Sequence, residues 1–214
     1  VALAQDRRVA GVFAGEPVEA HRRGVKFVSS ALLEQLDGPV DGVITTSAGY
    51  PLDLTFYQAI KGVTAAQHIV KPGGRILLVA ECPEGAGAPE FREMLRGLGS
   101  YRAFLDRIAT APVTVDQWQI EKLALVGTQM EIFYYVPGLP AEFQAAFAGK
   151  TFSTTEAALS AFNSGLAPGS NVAVIPEGPY AAAKAAAAAG PSGACVGRPL
   201  GAATGDLGGA ASSA

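Results

Sequence analysis

Charge, histidine, cysteine and long apolar runs are all scarce in this chain. Only 16% of its 214 residues are Asp, Glu, Lys or Arg, and 16 basic against 19 acidic side chains leave a net charge of -3 with no basic block. Such a surface lacks the cation density that neutralises a phosphate backbone, which argues against nucleic acid as a partner. Cys82 and Cys195 stand 113 positions apart and outside any C-x-x-C. Neither a disulfide framework nor a thiolate metal site is therefore expected, and a reducing cytoplasm fits. Apolar runs break after about four to six residues, well short of the roughly 20 that a membrane span needs. No membrane-spanning or signal segment is expected.

Short apolar runs are what the chain has in plenty: 49% of it is hydrophobic and its mean hydropathy is +0.25, enough at this length for the core of a domain. Strands are expected at Val9–Ala14, Val25–Ser30, Val43–Thr46, Arg75–Ala80, Met130–Val136 and Val172–Ile175. Helices are expected between them, at Leu54–Val70, Glu90–Leu98, Tyr101–Thr110, Asp116–Thr128, Ala141–Ala148 and Thr154–Asn163. Strands apolar on both faces, alternating with helices, predict an α/β fold of three layers, a largely parallel β-sheet flanked by helices. Lys71-Pro72-Gly73-Gly74 should end a helix before a strand, and Asp116 and Thr154 should cap helices. Residues 1–180 read as one domain. In residues 181–214, 21 of 34 are Ala or Gly without apolar periodicity, which predicts a disordered Ala/Gly-rich C-terminal tail whose opening, 181–189, has helix propensity alone.

Residues 41–62 pass from a buried strand through a polar loop into a helix, the place where open α/β sheets bind ligands. Thr45, Thr46 and Ser47 supply hydroxyls, Gly49 permits close approach, and Asp53 sits near the positive helix end. Inside the helix, Tyr57, Gln58 and Lys61 fall on one face at spacings of three and four. A phenol, an amide and an ammonium so placed can grip a small carboxylate. Read from spacing alone, the trio is more simply a solvated face with a snorkelling lysine.

TTSAGYPLDLTFYQAIKG resembles the signature of the carboxy-terminal domain of the nickel-pincer lactate racemase family, and VAGVFAGEPVEAHRRG upstream is similar to that family's domain opening. PGGRILLVAECPEGAGAPEF, VTVDQWQIEKLA and NVAVIPEGPY follow in the family's order, so the resemblance covers roughly residues 5–180. It implies a racemase or epimerase that removes hydride from the α-carbon of a 2-hydroxy acid and returns it on the other face through a transient 2-keto acid. The hydride acceptor it implies is a nickel-pincer nucleotide, the nickel complex of pyridinium-3,5-bisthiocarboxylic acid mononucleotide, held on an N-terminal cofactor-binding domain whose histidines act as acid and base. By position, Tyr57, Gln58 and Lys61 match the substrate-holding residues, with Lys61 on the carboxylate, and Trp118 matches a tryptophan walling the same pocket. A single Trp on an amphipathic helix is otherwise a core residue.

His21 and His68 lack spaced partners, and Lys26 and Lys184 do not match the family's cofactor tether, so no catalytic or metal-binding residue is expected in this chain. The resemblance therefore implies the substrate-holding half of such an enzyme, a fragment inactive alone, whose partners are a small-molecule 2-hydroxy acid and the N-terminal half. The alternative is a non-catalytic assembly module covering a separate catalytic partner. Other chemistries fit less well. Glu90 stands where a third glycine of G-x-G-x-x-G would fall, Ser47 lacks a nucleophile elbow, and Cys82 reads as a buried structural thiol.

Overall fold

The computed structural model describes residues 1–4, 6, 8–147 and 150–186. Residues 187–214, the greater part of the expected tail, lie outside the described residues. The chain opens with a short antiparallel pair, β1 (Ala2–Leu3) and β2 (Val9–Gly11), followed by α1 (Pro17–Leu32), which leads directly into β3 (Leu33–Leu36). The main sheet then builds up from β4 (Val40–Thr46), β5 (Val70–Val79), β6 (Glu131–Tyr135) and β7 (Val172–Ile175). Its order is β6-β5-β4-β7 and every pairing is parallel, with Ile44 opposite Leu77 and Val174, and Leu77 opposite Phe133.

Helices cover both faces, giving the expected three layers. On one side lie α2 (Phe56–Ala66), α3 (Pro89–Arg96), α4 (Tyr101–Ile108) and α5 (Gln117–Gly127), and on the other α7 (Thr155–Asn163); the short α6 (Ala141–Gln144) follows β6. Alternation along each strand decides which residue meets which layer. Ile76, Leu78, Ile132 and Tyr134 join Phe56, Ile60, Val63, Phe91, Leu95 and Leu123 in the larger core. Their neighbours Leu77 and Phe133 point the other way, onto Ala158 and Phe162 of α7. Burial on both faces is why these strands read as unbroken apolar runs.

Four local expectations change. Val25–Ser30 is helical, inside α1. Pro17 in the first turn and the Glu16 carboxylate, which accepts from the Glu19 N–H, start a helix that nothing interrupts before Leu33. Val18, Val25, Val28 and Leu32 form one stripe of it, and that stripe is exposed. Lys71 to Gly74 do not separate a helix from a strand; they lie within β5, where the register against β4 slips between Val40 and Gly42. The extra residues are absorbed as a bulge, with Gly73 at φ 75°. Val9–Ala14 contracts to Val9–Gly11. Finally, Ala182–Ala185, expected at most to be helical, is a strand, β8, pairing in parallel with β3 from Leu33–Ala182 to Leu36–Ala185. A waiting strand edge outweighs the weak helix preference of so short an Ala run.

Candidate functional site

The site lies where α2 meets the carboxyl ends of β4 and β5. Gly62 lets the helix settle there, since a Cβ at that position would stand 2.6 Å from the Thr46 carbonyl oxygen. The loop hydroxyls expected to face a ligand turn inward instead. Ser47 Oγ donates to the Ala59 carbonyl at 2.9 Å, Thr46 Oγ1 donates to the Pro176 carbonyl, and Thr45 is buried. Ser47 thereby satisfies a buried backbone acceptor of α2, as unpaired buried carbonyls require, and Thr46 ties the end of β4 to the residue after β7. Thr55 caps α2, its side chain accepting from the Gln58 N–H at 3.4 Å. Asp53 does not cap; it is buried, and its Oδ2 accepts from the Glu81 N–H at 3.1 Å, tying the loop after β4 to the loop after β5. Cys82 sits in that second loop with its thiol pushed up to about 12, by burial first and then by the charges of Asp53 and Glu81. A thiol so suppressed is no nucleophile near neutral pH.

The structure joins the four expected residues as two pairs, Tyr57 with Trp118 and Gln58 with Lys61, and Tyr57 and Lys61 line different clefts. The Tyr57 ring meets Trp118 edge to face, with centroids 6.0 Å apart at 86°, and on its inner side meets the buried Phe91 at 5.2 Å and 82°. Gly87, at φ 127°, allows that fit: a Cβ there would lie 3.2 Å from Tyr57 Cβ. The Lys61 ammonium donates to Gln58 Oε1 at 2.5 Å. Tyr57 and Gln58 are half-buried, and Lys61 and Trp118 are exposed, so the group is open to a visiting molecule. Trp118 lies at the surface, 45% exposed, and is not a core residue.

Three supporting residues were not legible in the sequence. Gln119, buried, donates from Nε2 to the Tyr57 carbonyl at 2.7 Å and locks α5 to α2. Lys122, one turn beyond Trp118, places its ammonium 5.0 Å from the Trp118 ring centroid; the spacing of four was the one available signal. Asp116 holds the N-cap position of α5 with a left-handed backbone (φ 64°) but makes no cap hydrogen bond. Its carboxylate instead stands by the Tyr57 phenol. Burial first, and then that charge, hold the phenol above its ordinary value of 10.0, so it remains a neutral donor.

Two clefts border α2. One, of about 420 Å³ between α2 and α5, is lined by Lys61, Thr64, Gln67, His68 and Lys122, with Pro179 at its edge. The other, of about 390 Å³, is lined by Thr55, Tyr57, Glu84, Gly87 and Asp116. Among the described residues no three His, Cys, Asp or Glu side chains gather as a metal ion would require. The ligand set here therefore does not fit a nickel centre. Among the described residues, too, no helix is long and apolar enough to cross a membrane.

Comparison with known proteins gives the family of the chain. Residues 37–180 match the family described as the lactate racemase C-terminal domain. The lactate racemase of Lactiplantibacillus plantarum is 36% identical over 130 residues, and that of Thermoanaerobacterium thermosaccharolyticum 33% over 129; each match covers 59% of this chain and 30% of the relative. The solved apoprotein of the T. thermosaccharolyticum lactate racemase superposes with a TM-score of 0.75 at 27% identity, covering 85% of this chain and 44% of that one. The chain thus spans about 30% of the length of the curated relatives it matches. A match over residues 37–180 takes in well over half of this sequence, and the chain belongs to the lactate racemase C-terminal domain family.

Proposed function

We propose that this chain holds the substrate of a nickel-pincer-dependent racemase or epimerase of 2-hydroxy acids, while an N-terminal half carries the cofactor. The observation that carries the reading is the Lys61 ammonium. It sits at an open cleft without any lining carboxylate and among the described residues makes no ion pair, with the Gln58 amide oxygen as its hydrogen-bond partner. Lys61 takes the substrate carboxylate, since a compact ammonium pairs with it as a point charge. Gln58 keeps its amide N–H groups for a second oxygen while its carbonyl oxygen steadies Lys61. Tyr57 donates from its phenol, and Trp118 screens the face of the ligand from water.

The hydride chemistry is assigned to the nickel-pincer nucleotide, and no ligand for it is assigned to this chain. The exposed stripe on α1 and the greater length of the relatives support an N-terminal half as the protein partner. Reconstitution tests the whole. Mixing this chain with the cofactor-loaded N-terminal half of a lactate racemase should yield lactate racemisation that neither part shows alone, in a cytoplasm-like reducing buffer. An active mixture that Lys61→Ala leaves untouched would remove the carboxylate role. A mixture that assembles without activity would favour a covering module.

A further inference from the structure

Lys61 does not face its cleft alone. Lys122 lines the same space from α5, with Thr64, Gln67 and His68 between, and no Asp or Glu borders it. Among the described residues neither lysine is in an ion pair. The Lys122 ammonium is also fixed in place: it lies over the Trp118 ring at 5.0 Å, a cation–π contact. Two like charges sharing one cleft without a counter-charge repel each other, and a ligand with two negative groups relieves both. Lactate has one carboxylate and would leave Lys122 unanswered. Both lysines stand in helix interiors, so the cleft lacks the converging N–H groups of a helix N-terminus that phosphate favours. Two separate ammonium groups suit two separate carboxylates.

Resting on the substrate-holding reading above, we propose that the site takes a 2-hydroxy dicarboxylate, with the carboxylate next to the carbinol on Lys61 and the second carboxylate on Lys122. Lys122 is then a specificity-determining residue. Gln58, whose amide oxygen holds the Lys61 ammonium, serves the carbinol end, so the hydroxyl is recognised on the Lys61 side of the molecule.

Parallel titrations of the 15N-labelled 214-residue chain with malate, succinate and lactate at fixed ionic strength test this. Malate should bind about two- to fivefold more tightly than lactate, the worth of one added exposed charge pair. Lys122→Gln should abolish that preference, and Lys122→Arg should restore it. Succinate, which has both carboxylates and no hydroxyl, should bind more weakly than malate. Equal affinities for malate and lactate, a preference that survives Lys122→Gln, or succinate matching malate overturns the dicarboxylate assignment. If Lys61→Ala still weakens lactate in any of those cases, the holding role stands. If neither hydroxy acid binds at the Lys61 face, both readings fall together.

Discussion

The two clefts beside α2 are nearly equal in size, about 420 and 390 Å³, and opposite in charge. Lys61 and Lys122 line one, and Glu84 and Asp116 the other. The same helix, α2, borders both, through Lys61 on one side and Tyr57 on the other. Shape would let a small hydroxy acid enter either side, so charge must choose. An anion is drawn to the lysine side and repelled from the carboxylate side, while the raised phenol of Tyr57 stays neutral and can donate.

The largest break in this contrast should come from Lys61→Ala. Loss of the carboxylate anchor should lower racemisation by the reconstituted pair about a hundredfold, the scale on which mispositioned substrates lose rate. Gln119→Ala should come next, since Gln119 holds α5 to the Tyr57 carbonyl. Removing a buried side chain and its hydrogen bond should cost about 1–3 kcal/mol in urea unfolding. A smaller effect is expected from the acidic side. Glu84→Gln with Asp116→Asn should tighten lactate binding only about two- to threefold, because screened charges in the neighbouring cleft act weakly; isothermal titration at low salt would read it. The finest probe is Tyr57 itself. Its ionisation, followed as the ultraviolet difference from Tyr57→Phe, should have its midpoint above 10.0. Asp116→Asn should bring it down without restoring the ordinary value, because burial, the larger cause, remains.

What could be read from the sequence follows from local pattern. β7 falls where its Val/Ile run placed it, although Val172 and Val174 are exposed, and β6 and α7 within a residue or so, because short apolar runs and a Thr-capped helix announce themselves within a few positions. The same holds for Gln58 and Lys61, whose spacing of three brings their side chains into contact. The misses were set by distant partners. α1 exposes its valines, so their β-branched run imitated a strand. β8 exists only because β3 offers an edge. Ser47 and Thr46 look like ligand hydroxyls until Ala59 and Pro176 supply their acceptors. Asp116 and Lys122 frame the site from α5, more than 50 residues from α2 in sequence, and no local spacing relates them to Tyr57 or Lys61.

Residue-resolved titration of the labelled chain with each enantiomer of lactate tests the central claim most directly, because an enzyme that equilibrates two epimers must bind both. The account predicts saturable shifts at Gln58, Lys61 and the Trp118 indole for both enantiomers, with similar affinities and little change at Glu84 and Gly87. Saturable shifts centred on Glu84 and Asp116, or none at Lys61 for either enantiomer, would contradict it.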